Sequence, residues 1–197
     1  MAEKYIVCSG KGGSGKSTVT VGLAAALASA GKRVLCADAD TSVRSLDLLL
    51  ETGEDILFNW YDAARGNCKK KDAVYDTLYK GVSLLPAPKS TEELTYDEFY
   101  ELILSFESSY DYILFDAENC GTAFDFAAKI CDKAIIVTTP DAVSLRSAFD
   151  KAEKILQEAI CLLEVTPLRI KYDIYFELGE IYRICDNNSD NYNKSLA

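Results

Sequence analysis

The sequence predicts an α/β fold, a doubly wound, mostly parallel sheet with helices on both faces. Three observations point there. Strand-like and helix-like segments alternate along the 197 residues. The strand-like segments are continuous apolar runs, as in strands buried on both faces. A glycine-rich turn from Gly10 to Ser17 joins the first strand to the first helix.

In order, KYIVCS (residues 4–9) reads as a short buried strand. After the glycine turn, Ser17 to Ala30 reads as an Ala- and Leu-rich helix that stops at Gly31. KRVLCADAD (32–40) is a second strand ending in acidic residues, and Asp47 to Leu78 carries weak helical signals. GVSLLPAP (81–88) is a short strand ended by prolines, and Thr91 with Glu92 and Glu93 behind it starts a helix to about Ser108. YILF ends on Asp116, KAIIVTTPD (133–141) has the same shape, and Ala142 to Leu163 is a long amphipathic helix. Residues 1–164 are expected to form one domain, and 165–197 a divergent tail whose Asn-rich end, CDNNSDNYNKSLA, is too polar to pack. VTPLRIKYDIY has room for one more strand.

Composition narrows the chemistry. Lys and Arg number 21 against 31 Asp and Glu, a formal charge of −10, which repels nucleic-acid backbones and anionic lipid surfaces. The dense basic run Lys69-Lys70-Lys71 reads as a solvated loop or helix start. With no histidine, bases and metal ligands must be carboxylates, lysines, hydroxyls or backbone. The seven cysteines show no paired spacing, so they read as small buried hydrophobes of a reducing, cytoplasmic protein. The apolar run before Ser9 is too short for a signal segment, and no stretch has the length of a spanning helix.

Gly10 to Ser17 fits the phosphate-loop pattern G-x-x-x-x-G-K-[ST] in its required setting, after a strand and opening a helix. Gly10, Gly12, Gly13 and Gly15 let backbone N–H groups approach one anion, while Lys11 and Ser14 occupy the positions between. The phosphates would rest on the positive end of the helix opening at Lys16. Lys16 would reach the β- and γ-phosphates, Ser17 would ligate magnesium, and Thr18 would add a phosphate contact. A nucleoside triphosphate is the expected ligand. Lys11 is not needed for this, and on residues alone it is a solvated charge beside an anion.

KGGSGKS resembles the deviant Walker A motif of the MinD/ParA family. KRVLCADADTSVRSLDLLL, SLLPAPKSTEEL and DKAIIVTTPDAVSLRSAFDKAEKIL are similar to its septum-site-determining branch, so the likeness runs from about Lys4 to Leu163. The resemblance implies a P-loop NTPase fold of the SIMIBI type, Mg-ATP as ligand, and an ATP-dependent homodimer in which Lys11 crosses to the partner's phosphates. It implies that Asp40 positions the attacking water, that Asp38 supports the magnesium shell, and that Asp116 is the Walker B aspartate. The residues agree, since carboxylates at the C-terminal ends of parallel strands lie where open α/β sheets bind ligands, although strand-end capping would place Asp38 and Asp40 there too.

By the same implication the chain is a slow ATPase with a regulatory protein partner, acting in septum-site placement. The alternatives are a ParA-like positioning ATPase for DNA, pili or flagella, and an ATP-gated dimerisation module with little hydrolysis. Two departures bear on these. The segment after Asp116 is Ala117-Glu118-Asn119-Cys120-Gly121, where the family carries Ser or Thr, Pro, Ala, Gly. After Glu164 neither the family's adenine-reading Asn-Arg pair nor a basic amphipathic helix is recognisable, so a C-terminally shortened fold without the usual membrane-targeting helix is expected.

Overall fold

The computed structural model describes residues 1–52, 55–88, 94–118 and 120–162. β1 (Glu3–Cys8), β2 (Val34–Ala39), β4 (Val82–Leu85), β5 (Tyr112–Ala117) and β6 (Lys133–Ile136) run parallel in one sheet of order β3-β4-β2-β5-β1-β6. Among the described strands only β3 (Tyr75–Asp76) is antiparallel, against β4. The doubly wound, mostly parallel expectation therefore holds.

Side-chain alternation along the strands divides the core into two layers. Leu35, Ala37 and Ala39 of β2 join Ile113, Phe115 and Ala117 of β5 under α3 (Trp60–Ala64), α4 (Tyr96–Leu104) and α5 (Thr122–Ile130). Val34, Cys36 and Leu114 face the other way, onto α1 (Lys16–Ser29) and α2 (Leu46–Leu50). The same period of two carries Asp38 and Asp116 onto the α1 side. α6 (Ala142–Leu162) rests on α5 and β6.

Boundaries differ from the sequence reading where local chemistry intervenes. α1 begins and ends one residue early, and Gly31 stops it with a positive φ of 80°, where Gly31 and Lys32 N–H groups return to Ala28 and Leu27 carbonyls. The helical reading of Asp47 to Leu78 is corrected. That stretch holds the short α2 and α3, a single 3-10 turn (Lys70–Ala73) and β3. Asn59 starts α3 through a capping box with Asp62, and the Tyr75 hydroxyl accepts from the Leu57 and Phe58 amides, which tether the chain in non-helical form. The basic run stays solvated, as expected.

α4 does not start at Thr91, which with Glu92 and Glu93 lies outside the described residues. It starts at Tyr96, because Thr95 and Glu98 form the capping box instead. β6 is not buried on both faces: it is an edge of the described sheet, with Lys133 and Ala134 exposed. The predicted tail, 165–197, also lies outside the described residues. No helix among those described is long and apolar enough to cross a membrane.

Candidate nucleotide-binding site

The C-terminal ends of β1, β2 and β5 converge on the glycine loop. Gly13 and Gly15 take positive φ values of 76° and 92°, which only glycine adopts without strain. A Cβ at Gly12, Gly13 or Gly15 would meet open space, so the loop encloses room for a ligand rather than protein. Gly10 has another reason to be glycine, missed from sequence: its Cβ would strike the backbone of Ser147 on α6, whose hydroxyl donates to the Gly10 carbonyl at 2.7 Å.

The first turn of α1 has neither a side-chain cap nor an acidic residue, so its leading N–H groups face the loop with the positive end of the helix behind them. Ser14 Oγ is buried inside the loop with no hydrogen-bond partner. A buried orphan hydroxyl is costly, and an anion seated in the loop would satisfy it together with the amides. Lys16 and Ser17 are half-buried beside it, whereas Lys11 and Thr18 are exposed.

Asp38 and Asp116 are register partners on neighbouring strands, and both are buried. Burial pushes Asp38 up to about 7 against the pull of the Asp40 amide, which donates to it at 2.9 Å, and the Asp116 charge pushes further. Burial also raises Asp116, opposed by hydrogen bonding from Ser17 and by the Lys16 charge. The Thr20 hydroxyl lies 3.3 Å from Asp116 Oδ1 and 3.0 Å from the Lys16 carbonyl, and Ser45 Oγ is 3.1 Å from Ser17 Oγ. Asp40 is turned onto its own loop, its Oδ1 accepting from the Ser42 amide and hydroxyl and the Val43 amide at 2.7–3.0 Å. Thr20 and Ser45 were not singled out in the sequence, although Thr20, one turn beyond Lys16, had a legible position.

These residues suit magnesium in one particular way. Among the described residues no three acidic or thiol side chains form a metal-holding cluster. Magnesium bound to a nucleotide does not require one, since it keeps several waters and takes only one or two protein ligands besides phosphate oxygens. Ser17 would supply the direct ligand, with Asp116 and Asp38 behind it.

Fold and site together define a P-loop nucleotide-binding domain, with the loop between β1 and α1 and an aspartate at the end of β5. Residues 5–173 match the CobQ/CobB/MinD/ParA nucleotide binding domain, and the chain belongs to that family. It is 36% identical over 152 residues to the septum site-determining protein MinD of Helicobacter pylori, a match covering 75% of this chain and 57% of that protein. Its fold superposes on MinD of Pyrococcus horikoshii complexed with Mg-ADP, with a TM-score of 0.66 and 30% identity over 81% of this chain and 66% of the other. MinD in a MinC:MinD complex of Aquifex aeolicus gives a TM-score of 0.69 and 32% identity over 78% and 63%. The chain thus spans less than two thirds of the length of the H. pylori relative.

Proposed function

We propose that this chain is a MinD-like ATPase of the cytoplasm that binds Mg-ATP, dimerises when ATP is bound, hydrolyses it slowly and takes part in placing the division site. The observation that carries this reading is the loop itself: an uncapped helix start, glycines facing open space and the orphan Ser14 hydroxyl, set against Lys16, Ser17 and Asp116. Ser17, with Asp116 behind it, would hold a magnesium ion that offsets the negative charge of the phosphates. The chain's residues do the rest. Loop amides and Lys16 hold the phosphates, Ser17 and Asp116 orient the metal shell, and Asp40 aligns a water for in-line attack.

Lys11 is exposed at the rim of the loop, close enough to Asp141 for its charge to help lower that carboxyl, after the larger effects of Ser144 and Thr139. Exposure beside the phosphates is what a lysine reaching into a second subunit requires. The MinD of the Aquifex complex, associated with MinC, supports a regulatory partner here. A nucleotide-gated module with little turnover is the second reading, favoured by the sequence Ala117-Glu118-Asn119-Cys120-Gly121 after β5, where the family carries Ser or Thr, Pro, Ala, Gly.

Light scattering with Mg-ATP, Mg-ADP or no nucleotide, with phosphate release followed in the same samples, tests this. The expected result is a dimer with ATP alone, abolished by Lys11→Ala, and slow release. A dimer without release supports the gated module, and no response to nucleotide overturns both readings.

A further inference from the structure

We propose that Glu118 ties the loop after β2 to the segment after β5, and that through Thr41 it positions Asp40. The proposal rests on the hydrolysis reading above. Three observations carry it, and two of them meet on one oxygen, Glu118 Oε1. The Thr41 hydroxyl donates to Glu118 Oε1 at 3.2 Å across the mouth of the site, joining segments 77 residues apart in sequence. Thr41 directly follows Asp40, whose carboxylate holds the Ser42 and Val43 amides and so fixes the shape of the same loop. On its other side Glu118 folds back over Gly121, the residue before α5, where a Cβ would lie 2.9 Å from Oε1.

Gly121 therefore leaves room for this carboxylate, and its φ of 115° belongs to glycine. The carboxylate oxygen is lodged between α5 and the β2 loop. Ala117 to Gly121 contains no proline to restrain the backbone, so a side-chain bond supplies the restraint. Because Asp40 and Thr41 share a peptide unit, fixing the Thr41 hydroxyl limits how far the Asp40 carboxylate can swing. Glu118 is a positioning residue in this scheme, acting through Thr41 without touching the reacting atoms.

The test has two arms on the full chain. In the nucleotide-free protein, solvent exchange of the Ser42 and Val43 amides is followed by NMR. Glu118→Ala and Thr41→Val are expected to accelerate it about tenfold, the scale of one lost hydrogen bond to a carboxylate. Glu118→Gln and Thr41→Ser, which keep an acceptor and a hydroxyl, are expected to stay slow, and the Ala/Val double variant should be no faster than either single one. Equal exchange in all variants overturns the tether.

In the second arm, Glu118→Ala is expected to lower kcat about tenfold with KM and fluorescent-ATP affinity unchanged, and Glu118→Gln to recover most of it. An equal loss in Gln and Ala overturns positioning, because the charge and not the bond would then matter. Absence of turnover in the wild type overturns the positioning role along with the hydrolysis reading, while the exchange arm still decides the tether by itself.

Discussion

Both ends of the sheet carry charged side chains, and they handle them in opposite ways. At the N-terminal ends of β1, β2, β5 and β6 charges of opposite sign are paired. Lys4 Nζ is 2.7 Å from Glu107 Oε1 and 3.5 Å from Asp132 Oδ2, Arg33 grips Asp111 at 3.1 Å, and Lys133 meets Glu3 at 2.9 Å. The hydrogen bond from Arg33 holds Asp111 below the usual carboxylate range, and that from Lys133 does the same for Glu3.

At the C-terminal ends the shifts reverse. Asp38, Asp116 and Glu118 are all raised, in each case chiefly by burial. Carboxylates buried together, with the Lys16 charge offsetting only part of the shift at Asp116 and Glu118, are poor for stability, and they are what a site completed by a metal and lysine-bound phosphates needs. One end of this sheet is arranged for folding and the other for binding.

Breaking the folding end should cost the most. Lys4→Met leaves Glu107 buried without its cation, and about 3 kcal/mol of stability should be lost, read as a Tm drop of roughly 6–12 °C. Affinity for fluorescent ATP in the folded protein should not move; a change there would mean that the two ends are coupled. At the binding end, Lys16→Ala should weaken nucleotide binding about 100-fold, or about 2.7 kcal/mol, with little effect on the melt of the nucleotide-free protein.

The pH dependence sharpens the contrast. The Asp38 carboxyl at about 7 in the folded chain sits above its ordinary 3.8. Between those values the folded state keeps a proton that the unfolded chain has released, so this group favours folding at acid pH and that contribution is lost as pH rises through 7. Asp38→Asn should therefore raise the Tm of the nucleotide-free protein at pH 8 by several degrees, on the scale of about 1.4 kcal/mol per pKa unit, and the gain should vanish near pH 4. Scanning calorimetry across that range checks it. The smallest effect is expected from Ser147→Ala, which removes the bond to the Gly10 carbonyl and should cost about 1 kcal/mol.

The strands were legible in the sequence because parallel strands buried on both faces need unbroken apolar runs, as in YILF before Asp116. The loop was legible because its chemistry is local to eight residues. What remained hidden depended on distant contacts. Nothing in SLRSAFD announces that Ser147 braces Gly10, 137 residues away. The capping box at Thr95 was passed over for Thr91, since a cap signal says where a helix is able to start, and packing selects among the candidates. β6 has the composition of an interior strand and lies at an edge of the described sheet, which composition cannot reveal. The tether between Thr41 and Glu118 needed the fold to bring two loops together.

The chain's single tryptophan has an optical consequence. Trp60 is 1% exposed, stands edge-on to Phe99 with ring centroids 5.2 Å apart, and donates its indole N–H to the Asp38 carbonyl at 2.8 Å. Its emission in the folded protein should be blue-shifted and should move to the red on melting. Because the indole is bonded to the backbone of the strand end that presents Asp38, a shift in its emission when nucleotide arrives would report movement there without any attached dye.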